Sequence, residues 1–376
     1  MSHLLGLQSN HLKGDAYVVI NGVNIAMSQI LNMQIYWSIY SFPITGTLTW
    51  MDHTDMVEKM KLRGGESVAF VMTDYDDKPF VQTFQIIDVR TTRSKNNAPI
   101  ATIKLMDIES VSAMNLYPEK SWKSATMKEI IDDPDTMKPI LTSKKKDFGD
   151  VSFKHEDFVV PMNINFLTVT DWLVQHNNYL FFQNRESYVI QDWKELFQRP
   201  TKSSSPEDRY RYKTPNEAYR RKITEYKYHW GDMLSAETLQ PTGNVASFDI
   251  TNKHRKYTIE SYQGAVEKLK SSGSTPHSFG SAGPKHFYKV DNTIEKAVEW
   301  QWSKNANKDL EIEILVPGQF KTQIGDMVWM EMAPWARDAD KEFNVYERWL
   351  VSGIVDTLTP PDFIQKLTLV RAKFFS

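Results

Sequence analysis

The sequence predicts a β-rich α+β fold: two similar small antiparallel β-barrel domains flanking an α+β domain, the second barrel discontinuous in sequence. Three observations predict it. A strand pattern occurs twice, near residue 65 and near residue 325, toward opposite ends of a 376-residue chain. Aromatic residues are frequent (11 Trp, 16 Tyr, 19 Phe) and accompany many β-branched ones, a composition that suits pleated, half-buried strands. Between the two copies lies a strand–helix–hairpin unit over residues 158–193.

Each copy opens on a Gly-acid turn, Gly65-Glu66 or Gly325-Asp326. An alternating strand follows, with Val68, Phe70 and Met72 in one copy and Val328, Met330 and Met332 in the other. After a polar loop (Thr73 to Pro79; Ala333 to Glu342) comes a second strand carrying Ile86-Ile87-Asp88 or Ile354-Val355-Asp356. A proline-containing loop leads to the third strand, Ile100 to Met106 or Phe363 to Val370. Such a duplication suggests internal pseudo-symmetry, which usually serves assembly rather than catalysis.

Ahead of the first copy, Tyr17 to Ile20 and Val23 to Met27 flank Asn21-Gly22, a pair that tolerates the positive φ of a type I′ hairpin turn. Leu31 to Tyr40 alternates and places Leu31, Met33, Ile35, Trp37 and Ile39 on one face; residues 46–51 add a strand. In the middle, Ser124 to Ile131 reads as a short helix broken at Asp132-Asp133-Pro134-Asp135, since proline removes a donor and restricts its predecessor. Phe158 to Val160 reads as a strand. A helix capped by Asn163 or Asn165 then runs to about residue 177, with Phe166, Val169, Trp172, Leu173 and His176 on one face. Asn177-Asn178 is a left-handed stop, and a hairpin follows: Tyr179 to Gln183, the turn Asn184 to Ser187, then Tyr188 to Gln191.

Residues 200–219 are rich in Ser, Pro and charge and read as a loop or linker. Strands are expected at 223–230, 245–251 and 256–262, a mobile Gly/Ser/Pro loop at 271–284, a helix at Thr293 to Ser303, and strands from Leu310 to the end. The domain reading is therefore 1–109 for the first barrel, 110–219 with 259–304 for the α+β domain, and 220–258 with 305–376 for the second barrel.

Composition excludes several classes. Apolar residues make up 41% and charged residues 24%, so the chain as a whole is not disordered. A net charge of −2 argues against a dedicated binder of nucleic acid or anionic membrane. Without any cysteine, disulfides, thiolate metal sites and cysteine nucleophiles are impossible. The first residues, Met1 to Gly6, carry no secretory signal pattern, and no apolar run reaches the ~18 residues of a membrane span. A soluble chain folding in a cytoplasm is expected.

Candidate chemistry is sparse. Asp132, Asp133 and Asp135 form a carboxylate cluster that suits a glycosidase pair or hard-metal site, or more simply a solvated helix end. His155-Glu156-Asp157 is a compact acid/base trio, but it lacks the His-Glu-x-x-His spacing that puts two histidines on one helix face. Gly273, Gly280 and Gly283 do not stand between a strand and a helix with a Lys-Ser/Thr ending, so a flexible loop is expected rather than a phosphate cradle. No nucleophile-elbow serine and no dinucleotide fingerprint is present. Catalytic, cofactor and metal residues are accordingly predicted to be none. The run Arg209-Tyr210-Arg211-Tyr212-Lys213, with Arg220-Arg221-Lys222, could stack on and neutralise single-stranded nucleic acid, yet Glu207, Asp208 and Glu217 stand beside it. A solvated loop is the first reading and a protein contact the second; Lys144-Lys145-Lys146 also reads as a solvated loop.

In this order, the elements resemble the baseplate central hub proteins of contractile-tailed bacteriophages, whose fold is shared with the hub portion of type VI secretion spike proteins. Three segments carry the resemblance: Val160-Pro161-Met162-Asn163 through the helix at Trp172 to Tyr179-Leu180-Phe181-Phe182; Val316-Pro317-Gly318 followed by Gly325-Asp326-Met327-Val328; and Val351-Ser352-Gly353-Ile354-Val355-Asp356 to Leu367-Thr368-Leu369-Val370-Arg371. It covers nearly the whole chain apart from the loops at 132–150 and 265–290. The resemblance implies a structural protein without enzymatic activity or cofactor, a homotrimer whose two tube-docking barrels per chain give six similar faces. Its partners would be a central spike (tail lysozyme or spike) protein, a tail tube or tube initiator protein and baseplate wedge proteins. DNA would only pass through, and no membrane insertion is implied. The location would be the tail baseplate of a virion, after assembly in the host cytoplasm. Two competing readings are a tail-tip peptidoglycan or polysaccharide hydrolase using Asp133 and Glu156, and a DNA-binding scaffold using residues 209–222.

Overall fold

Seven strands open the chain: β1 (Tyr17–Ile20), β2 (Val23–Ile25), β3 (Ile30–Ser38), β4 (Thr45–Met51), β5 (Ser67–Thr73), β6 (Pro79–Arg93) and β7 (Pro99–Asp107). The computed structural model describes residues 17–73, 79–93, 98–201, 208–212, 221–230, 244–249, 256–261, 285–289, 310–331 and 346–370. Strand order in the first module is β2–β1–β5–β6–β7–β4–β3. Asn21 and Gly22 take the positive φ of the expected hairpin, 46° and 82°, with Ile20 opposite Val23. Met33, Ile35, Trp37 and Ile39 point inward as the alternation requires. Leu31 does not: the β3–β4 register shifts between Ile30 and Asn32, so Ile30 takes the inward place. A bulge adds one residue and exchanges the faces beyond it. A second bulge, between Ile86 and Asp88 of β6, leaves Ile87 46% exposed.

Helices α1 (Met56–Lys59) and α2 (Ile108–Met114) belong to this stretch. Next come β8 (Ser121–Thr126), α3 (Met127–Ile131), β9 (Lys145–Phe148), β10 (Lys154–Val159), α4 (Phe166–Asn177), β11 (Tyr179–Gln183), β12 (Ser187–Asp192) and α5 (Trp193–Gln198). The expected helix from Ser124 is shorter, because residues up to Thr126 pair with β10 as strand. Thr126 then starts the helix with a reciprocal capping box to Glu129. Asn165 caps α4 by accepting from Thr168 N at 2.9 Å, and Asn178 stops it at φ 58°. The buried face of α4 carries Phe166, Val169 and Leu173; the side chain of His176 lies outside the described residues. The β11–β12 hairpin turns at Asn184, whose carboxamide accepts from Glu186 N and Ser187 N at 2.9 and 2.6 Å. The lysine run is not a loop. Lys145 and Lys146 lie in β9, parallel to β12, and Lys144 donates to Gln183 Oε1 and the Asn184 carbonyl at 3.1 and 2.8 Å.

The remaining strands are β13 (Tyr210–Tyr212), β14 (Lys222–Ile223), β15 (Glu225–Trp230), β16 (Asn244–Asp249), β17 (Lys256–Ser261), β18 (Lys285–Lys289), β19 (Leu310–Pro317), β20 (Met327–Glu331), β21 (Tyr346–Thr359) and β22 (Asp362–Val370). Strands β16–β18 make a three-stranded sheet of their own, ordered β17–β16–β18. The others form a second module in which β15, β19, β22, β21, β20, β13 and β14 follow one another. Residues 200–219, expected as loop throughout, thus supply a strand: Tyr210 lies opposite Met330 and Arg211 opposite Lys222. The expected helix at 293–303, the loop at 271–284 and the polar loops at 74–78 and 332–345 lie outside the described residues.

The chain divides into two compact units: Met1–Val111 with Pro200–Lys227 and Ile312–Leu369, which holds both β modules, and Ser112–Arg199 with Tyr228–Glu311 and Val370–Ser376, which holds the helix–hairpin element. The observed fold is β-rich α+β, as the sequence predicts. One turn illustrates its packing tolerance. Gly318 donates to the Phe363 carbonyl at 3.0 Å, and a Cβ added there would lie 1.9 Å from the Phe363 ring. Gly318→Ala is expected to destabilise the protein by about 3 kcal/mol through overpacking, read as a lower urea midpoint with an unchanged m value.

Candidate assembly interface

The duplication is geometric as well as textual. Gly65 N donates to Ile86 O at 2.7 Å and Ile86 N to Glu66 O at 2.9 Å; Gly325 N donates to Val351 O and Val351 N to Asp326 O, both at 2.9 Å. Both glycines have positive φ, 95° and 82°, a conformation that a side chain would strain. Each acid closes its own turn on the N–H three residues back: Glu66 accepts from Arg63 N at 2.9 Å and Asp326 from Gln323 N at 2.8 Å. Burial works to raise the Glu66 carboxyl, but the N–H groups of Arg63 and Gly64 outweigh it and hold the group below its ordinary range. These bonds equate Ile86 with Val351, three residues from the Ile86/Ile354 match that the apolar pattern suggests. More residues separate the first two strands of the motif in the second copy, and look-alike Ile-x-Asp triplets hide the offset.

The two modules are joined edge to edge. Strand β3 of the first pairs antiparallel with β21 of the second, from Ser38 opposite Gly353 to Met33 opposite Leu358. Beneath the joint runs a buried polar chain. Trp37 Nε1 donates to Asp356 Oδ2 at 2.9 Å and Gln365 Nε2 to Asp356 Oδ1 at 2.6 Å. Gln365 Oε1 accepts from Gln319 N at 3.1 Å, and Gln319 Nε2 reaches the Tyr210 hydroxyl at 2.9 Å, which also meets Thr322 Oγ1 at 2.6 Å. Asp356 is 3% exposed and Gln365 fully buried, so each bond replaces water that cannot enter. Phe80 of β6 stacks on Phe320 of the second module, centroids 4.8 Å apart.

The described part of the basic-aromatic run is used internally, which corrects its first reading as a solvated loop. Tyr210 is fully buried; the Arg221 guanidinium sits 5.3 Å above its ring and pairs with Asp208 at 3.1 Å. Lys321 reaches the same carboxylate at 3.0 Å, and Arg211 pairs with Glu331 at 2.9 Å. Lys213 and Arg220 lie outside the described residues.

The carboxylates are engaged too. Asp133 accepts from Lys120 Nζ at 2.9 Å on both oxygens, from Trp122 Nε1 at 3.0 Å and from Asp135 N at 2.9 Å. Lys120 also pairs with Asp135, and Lys146 with Asp132. Burial raises the Asp133 carboxyl, but Lys120 and the N–H donors more than reverse it. A glycosidase acid needs the opposite, a carboxyl held protonated near neutrality. Glu195 is pushed up, by burial first and then by Asp192 and Asp150, but it stands in the first turn of α5, its N–H capped by Asp192 at 2.6 Å. His155 is fully buried in β10, 3.0 Å from Asn177 Nδ2 and flanked by Phe153 and Phe158. The Glu156 side chain lies outside the described residues. Among the described residues no three His, Cys, Asp or Glu gather as metal ligands.

No protein-family model matches the sequence, and no curated protein does. Solved structures do match. The prophage MuSo2 43 kDa tail protein from Shewanella oneidensis superposes with a TM-score of 0.56 at 13% identity, over 95% of this chain and 98% of that one. The tail protein from Neisseria meningitidis MC58 gives a TM-score of 0.58 at 11% identity, over 95% and 96%. A component of the Escherichia coli type VI secretion system, itself similar to the T4 bacteriophage tail proteins gp27 and gp5, gives 0.52 at 8% identity, over 95% and 77%. The chain therefore has the fold of tail proteins and of a type VI secretion component. That is the baseplate-hub fold the sequence resembles.

Two outcomes follow from these contacts. Asp356→Ala strands two buried donors and is expected to cost about 3 kcal/mol, while Asp356→Asn, which keeps one acceptor, costs roughly half as much; denaturant unfolding measures both. A carboxyl depressed in the folded state stabilises above its unfolded pKa, and that contribution disappears as pH falls through the folded pKa. The advantage of the wild type over Asp133→Asn should thus be about 1 kcal/mol at neutral pH, begin to shrink near pH ~4 where the unfolded carboxyl protonates, and vanish only below the depressed folded value, in melts run across that range.

Proposed function

We propose that the chain is the structural hub of a phage-type tail baseplate: three copies close a ring of six similar β modules that joins a central spike to the tail tube around the DNA path. One observation carries the reading. Two modules of a single chain already stand edge to edge through β3 and β21, as neighbours in such a ring do. A duplicated module on a threefold axis gives six quasi-equivalent faces, which is what a threefold spike and a sixfold tube require of the piece between them. The tail proteins and the type VI component with the same fold support a place in a tail or injection machine. In this reading the β modules dock the tube and a separate spike protein seats on the ring, with tube-initiator and baseplate-wedge proteins around it. The work is mechanical, in keeping with carboxylates tied into ion pairs and helix caps. A net charge of −2 suits a channel that DNA must cross without being held. Mass photometry and negative-stain images of the purified chain, alone and with its spike, are expected to show three-chain particles with six lobes. Monomers or dimers under every condition would sink the proposal.

A further inference from the structure

The two modules differ in one respect that their common plan makes conspicuous. Strand β21 is flanked along one edge by β22. Along its other edge it pairs first with β20, as far as Leu350, and then with β3 from Gly353 to Leu358. Strand β6 is its counterpart, since Ile86 holds the place of Val351. One edge of β6 is flanked by β7 and the first half of the other by β5, from Pro79 to Gln85. Beyond Ile86, among the described residues, no strand lies on that edge. Burial follows pairing. Val351, Ser352, Ile354, Asp356 and Leu358 are at most 3% exposed, whereas Ile87 is 46% exposed and Arg90, Thr91 and Thr92 are exposed. The counterpart of β3 is β15, each being the second strand beyond the motif's third in its module. It pairs with β19 on one edge, and among the described residues nothing pairs with the other.

We infer that the open edge of β6, Ile87–Thr92, takes β15 of a second copy of this chain as an added antiparallel strand, reproducing between copies the joint that β21 and β3 make within one. The inference rests on the proposed trimer and names its contact. An unpaired strand edge offers backbone donors and acceptors that another strand satisfies. The occupant is specified by the molecule itself, because the module that presents a β21-type edge accepts a β3-type strand in the chain's own interior. Among the described residues each copy has one β6 edge and one β15 edge left over, so the contact is heterologous, and it closes a ring when the rotation between successive modules is constant. Bonds to such a neighbour would satisfy N–H and C=O groups of β6 that no other described strand pairs.

The test uses the full chain. Thr91→Pro removes a backbone donor in the middle of the edge at an exposed position, and Thr91→Val keeps it. The expected result is a trimer for the wild type and Thr91→Val, but monomers with an unchanged far-ultraviolet dichroism spectrum for Thr91→Pro. Because the chain has no cysteine, Thr92→Cys and Lys227→Cys copies can be mixed and treated with a flexible bis-maleimide linker. A covalent dimer is expected from the mixture and a covalent trimer from the double variant. A wild type that is trimeric, with Thr91→Pro equally trimeric and no cross-link in the mixture, overturns the edge contact and leaves the hub reading standing. A wild type that never trimerises overturns both.

Discussion

The β3–β21 joint is the constraint on which the rest of the first unit depends. It makes one continuous sheet of two modules that would otherwise be tethered domains. Two strands of six or more paired residues fix a register, but register alone is weakly specified along a flat edge. Specificity comes from Asp356. Its carboxylate takes Trp37 from one module and Gln365 from the other, all three buried, so a slip of one residue would leave the carboxylate and two donors unsatisfied. From Gln365 the chain of bonds continues through Gln319 to Tyr210 and Thr322, which ties the segment 208–212 into the same core. The glycine-rich features of the second module serve this packing. Gly318 leaves room for the Phe363 ring, and Gly353 lets the paired backbones approach with Thr368 within 3.4 Å of where a Cβ would stand.

Much of this architecture was legible in the residues. Period-2 alternation located β3, β5, β20 and β22; Asn21-Gly22 located the first hairpin; Asn165 and Asn178 bounded α4. These signals are local, and local chemistry decides them. What escaped was set by partners distant in sequence. Tyr210–Tyr212 reads as a polar, charged loop because its strand character comes from β14 and β20, and its one arginine, Arg211, is neutralised by Glu331, far along the chain, while Asp208 takes Arg221. Lys145 and Lys146 look solvated, yet β12 supplies a parallel partner. The three-residue offset in the repeat arose because Ile-Ile-Asp and Ile-Val-Asp match in type while hydrogen bonds equate Ile86 with Val351. The joint itself could not be read at all. Nothing in a strand's own sequence states which edge it will present.

The proposed assembly surface is legible only as an inference from duplication, whereas the lack of recognisable catalytic motifs is read directly from the sequence. Asp133 shows why the two differ. As a sequence it is a carboxylate among carboxylates, compatible with acid catalysis or a metal. In the fold Lys120, Trp122 and the Asp135 N–H occupy both oxygens and hold it charged. The same side chain thus moves from a candidate reagent to a brace for the turn after α3.

The chemistry of the two equivalent half-strands argues for a division of labour. The in-chain joint is lined by Val351, Ile354 and Leu358 and closes over a buried ion, which suits a contact formed once, during folding. The corresponding stretch of β6, Asp88-Val89-Arg90-Thr91-Thr92 against Gly353-Ile354-Val355-Asp356-Thr357, puts an arginine where the other strand has Val355 and a carboxylate where it has Gly353. Asp88 and Arg90 pair with each other at 2.9 Å and Lys104 approaches the same carboxylate. Charged side chains on a bare edge discourage indiscriminate strand addition, and the bulge at Ile87 twists the edge out of line with a flat template. In the proposed ring, such an edge would resist indiscriminate pairing on a lone chain and accept only a strand that matches its twist. An assembly that must wait for its other components needs that combination: one joint too apolar to remain open, and, in the proposed ring, a second edge polar enough to do so.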